Sequence, residues 1–200
     1  MKIDIINNVP NIEATLNQLS DGRVTLELKE KKQLGQLNPG DVFKLGEREY
    51  IVLEHDTNTT AVITKDYTTT MIFGDNNDYK TSKVREYCNT TFYNELVKAV
   101  GAKNIFKHKV ELMADDGTNK NVVCFDNVSI LTTELYRIYR QYIPEYYSEW
   151  WTATPVSSTA KDYTSYACCV NNYGVIYWDN CDRIYGVRPF CVLNSSILVS

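Results

Sequence analysis

The side chains in this chain that could do acid–base, nucleophilic or metal chemistry are few and scattered. His55 stands between Glu54 and Asp56, and His108 between Lys107 and Lys109, so neither lies in a nucleophile–base–orienter pattern. The six cysteines, at 88, 124, 168, 169, 181 and 191, include no C-x-x-C pair. The short fixed spacing of a zinc site is therefore missing. The acidic stretch Gly74-Asp75-Asn76-Asn77-Asp78 invites a calcium interpretation, but it lacks the ordered spacing and terminal Glu of an EF-hand loop and is expected to be a solvated turn. No catalytic residue, metal or cofactor is expected. The chemistry these residue types do support is recognition, because ten of the 15 Tyr fall between residues 136 and 185. Tyr brings a large amphipathic contact area with few torsions to freeze. The candidate ligand-binding residues are Tyr163, Tyr166, Asn172, Tyr173, Tyr177, Trp178, Asp179, Asn180, Asp182, Arg183 and Tyr185. Against this stands the plainer expectation that several of these Tyr pack in the core. Trp150, Trp151, Val187, Arg188, Pro189 and Leu193 are expected to be scaffold, with Arg188 a buried or half-buried fork that bonds carbonyls.

The composition of the same stretch is unusual. From Asp162 to Ser200 there is no Lys, Glu, Gln or Met, whereas residues 1–161 hold 14 Lys, 12 Glu, 4 Gln and 3 Met. An Asn codon mutated only at its adenines never reaches those four residues and never gives a stop. Tyr, Asn, Asp, Ser and Cys are common products. Trp178 cannot arise that way and would be a fixed position. A β-hairpin region that simply favours Tyr and Asn is the alternative.

Three segments, WWTATP at Trp150–Pro155, YACCVNNYG from Tyr166 to Gly174 and GVRP from Gly186 to Pro189, resemble the C-terminal half of an uncharacterised bacterial and phage domain family that reads WWLRSP, AAYVN and GVRP. Pro39-Gly40-Asp41, Gly46 to Leu53, Asn89 to Tyr93 and Val128 to Leu135 carry the resemblance upstream, over roughly residues 38–195. That family is similar to the C-type lectin-like fold shared by formylglycine-generating enzymes and the variable proteins of diversity-generating retroelements. The resemblance implies an α+β, C-type lectin-like domain, with two helices packed on short antiparallel strands and a long irregular C-terminal half. It also implies ligand binding of the receptor or adhesin type through a diversified C-terminal surface. Thr152 and Ala153 depart from the family's Leu and Arg, and Cys168 and Cys169 from part of its small-aromatic pair. The alternatives are an undiversified structural or adhesion domain of a phage tail or surface protein, and a formylglycine-generating-type oxidase with Cys181 and Cys191 as metal ligands.

The elements that must position these residues follow from periodicity. Residues 1–37 read as an N-terminal extension: a short helix with Ile12, Leu16 and Leu19 on one stripe, ended by Gly22, and then a strand alternating at Val24, Leu26 and Leu28. The extension is expected to be a flap or an attachment or oligomerisation element, and residues 38–200 to be the ligand-binding domain. Val42–Leu45, Arg48–Glu54 and Thr60–Thr64 predict a three-stranded meander. Ser82 predicts a helix N-cap, with Val84, Cys88, Phe92 and Leu96 on one face and Gly101 at its end. Thr132 or Thr133 predicts a second helix that buries Leu135, Ile138 and Tyr142 before Pro144. Lys107–Met113 reads as a strand or extended arm. Cys168 and Cys169, adjacent on a strand, are expected to point one into the core and one outward. The net charge of −4 and pI near 5.3 exclude a basic nucleic-acid-binding face. No signal-peptide pattern and no apolar run of membrane-spanning length is present, so a soluble, virion- or tail-associated or cytoplasmic protein without membrane insertion is expected, its partner an unknown protein or cell-surface ligand.

Overall fold

The computed structural model describes residues 12–119 and 123–200. An antiparallel hairpin comes first, β1 (Ile12–Gln18) with β2 (Val24–Glu30), followed by the short β3 (Lys32–Gln33). The predicted meander is β4 (Val42–Leu45), β5 (Arg48–His55) and β6 (Thr59–Thr64), after which comes β7 (Thr69–Met71). A continuous helical run then joins α1 (Lys83–Tyr87) through a π-turn at Cys88–Phe92 to α2 (Tyr93–Val100). Strands β8 (Ile105–Phe106), β9 (His108–Glu111), β10 (Val123–Asp126) and β11 (Val128–Ile130) lead to α3 (Thr133–Tyr139). The chain ends in β12 (Trp150–Pro155), β13 (Tyr166–Val170), β14 (Ile176–Asn180), β15 (Tyr185–Val187), β16 (Pro189–Asn194) and β17 (Leu198–Val199).

This architecture overturns the expected α+β, C-type lectin-like fold. The molecule is mostly β, 41% strand against 22% helix, with several sheets and two helical runs rather than helices laid over a few short strands. The C-terminal half is not irregular: it supplies strands to both large sheets. One sheet runs β11-β16-β6-β5-β4 with β8 also on β16, and the other runs β14-β13-β12-β15-β7. The physical reason lies in the Tyr, Val, Ile, Cys and Thr of residues 150–199, which fit a pleated surface better than a loop.

Both large sheets are buried on both faces over much of their area. Residues Trp150–Pro155 of β12 are all buried. Because neighbours on a strand face opposite ways, Trp151 joins the core that holds Val84, Cys88, Phe92 and Leu96 of the helical run, while Trp150 joins a second core with Tyr136 and Tyr139 of α3. The same geometry corrects the expectation for Cys168 and Cys169: both are buried, since each face of β13 has a core of its own. On α3, Thr132 caps the helix by accepting from the Leu135 N–H at 3.2 Å. Its buried stripe, however, is Tyr136 and Tyr139, and Ile138 is exposed. The larger rings win that face because Tyr136 packs edge-on against Trp150, at 5.3 Å between centroids, and Tyr139 donates to the Glu54 carboxylate. Ser82 and Gly101 cap the first helical run where the sequence places them, Ser82 Oγ accepting from the Arg85 N–H at 3.1 Å.

Arg188 ties the two sheets together. It is fully buried, and its Nε and Nη2 donate to the carbonyls of Thr64 at 3.2 Å and Lys65 at 2.8 Å. The guanidinium lies over Trp150 at 5.2 Å and Tyr146 at 5.9 Å. Burial pushes its pKa down to about 10, which still leaves it charged at neutral pH.

The N-terminal helix is a strand. Ile12 and Leu16, four apart, share a face in a helix and in a strand alike. The deciding signal is Asp21-Gly22 between two strand-like runs, which closes a hairpin with Gly22 at φ 84°. The extension also stops earlier than residue 37. Leu34 is fully buried and its N–H donates to the Ile197 carbonyl at 2.9 Å, so the chain from β3 onward belongs to the body. The part of the predicted extension before residue 12 lies outside the described residues. Among the described residues, no helix is long and apolar enough to cross a membrane.

Candidate functional site

The sequence-predicted binding residues separate into three groups. The first is an aromatic patch on β13, β14 and the short 3₁₀ turn Lys161–Tyr163. Trp178 stands edge-on to Tyr166 (5.2 Å, 84°) and to Tyr163 (6.1 Å, 85°), and the two Tyr rings are 6.1 Å apart. Trp178 keeps 50% of its surface exposed and Tyr163 43%. Asn180 is the cross-strand partner of Tyr166 and lies on the same face as Trp178, because residues two apart share a face. Asp182 and Arg183, both exposed, follow in the turn after β14.

The second group points the other way. Tyr177 is cross-strand from Cys169 and packs against the core that contains it. Its hydroxyl donates to Tyr185 Oη at 3.1 Å, and Tyr185 Oη donates in turn to Asp179 Oδ2 at 2.5 Å. Tyr185 also packs on Trp151, with centroids 4.8 Å apart. Burial raises the pKa of the Tyr177 hydroxyl well above the ordinary range, and burial together with the Asp179 contact pushes Tyr185 up to about 12. Three of the eleven candidates, Tyr177, Tyr185 and Asp179, therefore form an inward hydrogen-bonded chain. The third group, Asn172 and Tyr173, sits at the β13–β14 turn, at the opposite end of the hairpin from Asn180 and Tyr166. There Asn171 Oδ1 accepts from the N–H groups of Tyr173 at 2.9 Å and Val175 at 3.0 Å.

Several residues that position the patch were not singled out from the sequence. Asn77 is buried, and its amide donates to the carbonyls of Ser157 (3.0 Å), Tyr163 (2.9 Å) and Tyr166 (3.1 Å). Its own N–H donates to the Thr164 carbonyl at 2.8 Å. The polar Gly74–Asp78 stretch thus clamps the segment carrying both Tyr. The signal available was an Asn-rich turn, which does not say what it will bond. Tyr136 Oη donating to the Gly174 carbonyl at 2.9 Å fixes the far end of the hairpin in the same way.

The backbone of β14 is itself part of the site. Among the described residues it is the outermost strand of its sheet, paired only with β13. The Asn171 N–H donates to the Val175 carbonyl at 3.0 Å and the Cys181 N–H to the Ser165 carbonyl at 2.8 Å, which fixes the ladder's hydrogen-bonded pairs at Cys169/Tyr177 and Ala167/Asp179. Ile176, Trp178 and Asn180, which alternate with those pairs, turn their N–H and C=O groups toward the open edge. Asp179 Oδ1 takes the Asn180 N–H at 2.7 Å. Ile176 and Trp178 offer theirs to a partner.

Cys181 and Cys191, the residues considered as metal ligands, are both buried in the core and free of disulfides. Among the described residues, no group of three or more His, Cys, Asp or Glu is placed to hold a metal. Two clefts of the molecule lie away from the patch. One, of about 360 Å³, is lined by Leu45, Arg48, Phe92 and Leu96, and the other, of about 490 Å³, separates the β1–β2 hairpin from the body.

Fold and site together define a β-rich domain with a half-exposed aromatic cluster beside an unpaired strand edge. A family model described as a domain of unknown function (DUF6273) matches residues 102–195, the span from the end of the first helical run through β16 that contains the whole patch except the Asn77 clamp. No curated protein and no solved structure matches the chain.

Proposed function

We propose that this chain is a binding protein rather than an enzyme, and that it engages another protein by seating an extended segment along the β14 edge, over Trp178, Tyr163 and Tyr166. The observation that supports this most directly is the coincidence of unpaired Ile176 and Trp178 backbone groups with three packed, half-exposed aromatic rings. Main-chain bonds at an edge supply affinity, and side-chain pockets beside it supply specificity. Rigid aromatic anchors carry most of the binding energy in such surfaces. Panning a displayed random-peptide library on the immobilised chain tests it. Enriched peptides are expected to protect the Trp178 amide from exchange and to bind Trp178→Ala at least tenfold more weakly. Peptides that bind Trp178→Ala equally well would refute the site.

The absence of Lys, Glu, Gln and Met after Lys161 favours a second layer to this reading, namely that the surface is the diversified target of a retroelement. Sibling copies are then expected to vary at Tyr163, Tyr166, Asn172, Tyr173, Asn180 and Asp182, and to keep Gly174, the inward chain of Tyr177, Tyr185 and Asp179, and Gly186 to Pro189. Substitutions spread evenly over the chain would refute diversification and leave the binding site standing.

A further inference from the structure

The cleft of about 360 Å³ lies where the β4–β5 turn meets the first helical run. Register sets Leu45 opposite Arg48 and Phe43 opposite Tyr50, so Leu45, Arg48 and Tyr50 share one face of the sheet. Phe92, Leu96 and Ala99, spaced four and three residues apart, form one stripe of the helical run. These two sets line the cleft, and Leu45, Tyr50, Phe92 and Leu96 are buried. At its partly exposed rim Arg48 Nε and Nη2 donate to Glu95 Oε2 at 3.2 and 2.9 Å, and the guanidinium lies 5.8 Å over the Phe92 ring. Tyr50 keeps only 3% of its surface exposed, and among the described residues its hydroxyl makes no hydrogen bond. Burial, with Cys191 beside it, pushes the pKa of that hydroxyl far above the ordinary range, so it stays a donor, and the rim charges of Arg48 and Glu95 also bear on it.

We infer that this cleft binds a small uncharged ring compound bearing an oxygen, its rings held between the β4–β5 face and the helix and its oxygen on the Tyr50 hydroxyl. Three observations select that class of ligand. The first is size: a cavity of ~150 Å³ lined by Leu, Ile and Phe takes benzene, so about 360 Å³ has room for two fused rings. The second is charge. The lining holds two cations, Arg48 and Lys98, and two anions, Glu47 and Glu95, which sum to zero, and Arg48 is already committed to Glu95. Nothing there offsets the cost of taking an ionised ligand out of water. The third is the hydroxyl itself. A buried donor without a partner is costly, and a ligand oxygen satisfies it. Apolar walls with one or two convergent polar groups are how small-molecule sites combine affinity with orientation. The cleft shares no residue with the β14 edge, so the two sites stand or fall separately.

Methyl NMR of the full chain titrated with 2-naphthol tests the inference, with naphthalene as the same rings without the oxygen and 2-naphthoate as a charged counterpart. 2-Naphthol is expected to shift the methyl signals of Leu45, Leu96 and Ala99 and to bind about fivefold or more tighter than either comparison compound. Tyr50→Phe keeps the ring stacked on Phe43, at 5.6 Å between centroids, and removes only the hydroxyl. It is expected to bring 2-naphthol down to the affinity of naphthalene, to leave naphthalene binding as it is and not to lower the melting temperature. Ala99→Leu, which fills the cleft from an exposed helix position, is expected to weaken both ring compounds about tenfold or more. Trp178→Ala is expected to bind 2-naphthol as wild type does. No methyl shift up to the solubility limit of 2-naphthol, or binding that survives Ala99→Leu and is lost in Trp178→Ala, would overturn the site. Equal binding of 2-naphthol by Tyr50→Phe, or a lowered melting temperature in that variant, would overturn the role of the hydroxyl. Tighter binding of 2-naphthoate than of 2-naphthol would overturn the uncharged class.

Discussion

The β1–β2 and β13–β14 hairpins are both antiparallel pairs closed by a glycine of positive φ, Gly22 at 84° and Gly174 at 68°. Each has a free edge among the described residues, but only β1–β2 alternates apolar and polar residues, β13 being apolar on both faces. They differ in what lies against them. The β13–β14 hairpin continues a five-stranded sheet with a core on either side, so its inner Tyr177 packs half-buried on one of them and its outer aromatics are left half-exposed. Among the described residues the β1–β2 ribbon pairs with no third strand, and it faces the body across a polar cleft, so its leucines stay in solvent. Tertiary neighbours, not local patterning, decide whether an apolar face on a strand is core or surface.

The largest expected effect sharpens the contrast within β14 itself. Tyr177→Ala removes a ring packed on the core and breaks the chain to Tyr185 and Asp179, and is expected to lower stability by about 3 kcal/mol. Trp178→Ala, one residue on, loses only its edge-on contacts with Tyr163 and Tyr166 and is expected to cost less, about 1 kcal/mol. Chemical denaturation of the two variants measures both, and equal losses would mean that the two faces of the strand are not different in kind.

The two turn glycines give the next test. A Cβ on Gly174 would lie 2.2 Å from Arg140 Nη2 and 3.0 Å from Tyr136 Oη, in addition to the strain of a left-handed backbone. Gly174→Ala is expected to cost about 2 kcal/mol in global stability. A Cβ on Gly22 would meet nothing within 4 Å. Gly22→Ala carries only the backbone strain, about 1 kcal/mol, confined to the ribbon and visible as faster exchange of its amides with an unchanged global transition. A global loss from Gly22→Ala would mean the ribbon is coupled to the body after all.

Alkaline titration reads the inward Tyr chain. Unfolded tyrosines ionise near pH 10, whereas burial holds Tyr177 neutral well beyond that and raises Tyr185 to about 12. Their contribution is thus fully present below pH 10 and is lost as pH rises above 10 and through the folded values. The fall in melting temperature between pH 9 and 11 is expected to flatten in the Tyr177→Phe/Tyr185→Phe double variant. The double variant is also expected to lose about 1 kcal/mol at pH 7 with the two hydroxyl bonds. A slope equal to wild type would place these hydroxyls in solvent.

What the sequence made legible was local. The caps at Ser82, Thr132 and Gly101, the meander over residues 42–64 and the structural role of Arg188 depend on neighbours a few residues away or on a side chain with one plausible way to be buried. What it did not disclose depended on contacts made across the fold. The resemblance pointed to a lectin-like arrangement, but strands β12 to β16 add to sheets begun by residues 42–71, and no period in the C-terminal segment reveals which strand it will lie beside. The candidate site was half legible for the same reason. Tyr163, Tyr166 and Trp178 come together at the surface, while Tyr177 and Tyr185 turn inward. A Tyr-rich strand states that one face will be covered without stating which. Asn77 lies some 80 residues from the carbonyls it holds, at Ser157, Tyr163 and Tyr166, and a turn residue gives no sign of so distant a partner.

The smallest expected effect is the one on which the contrast between the hairpins most depends. Leu28 is 58% exposed on the outer face of the ribbon, so Leu28→Ser removes apolar surface that already lies in water. The melting curve is expected to stay within about 0.5 kcal/mol of wild type. Val170 of β13, an apolar strand residue with 1% of its surface exposed, provides the matched control: Val170→Ser is expected to cost about 3 kcal/mol, because it both leaves a cavity and buries a hydroxyl. A loss above about 1 kcal/mol from Leu28→Ser would show that the leucine face packs on its own body, and the distinction between a hairpin built into a sheet and one whose apolar face lies in solvent would fail with it.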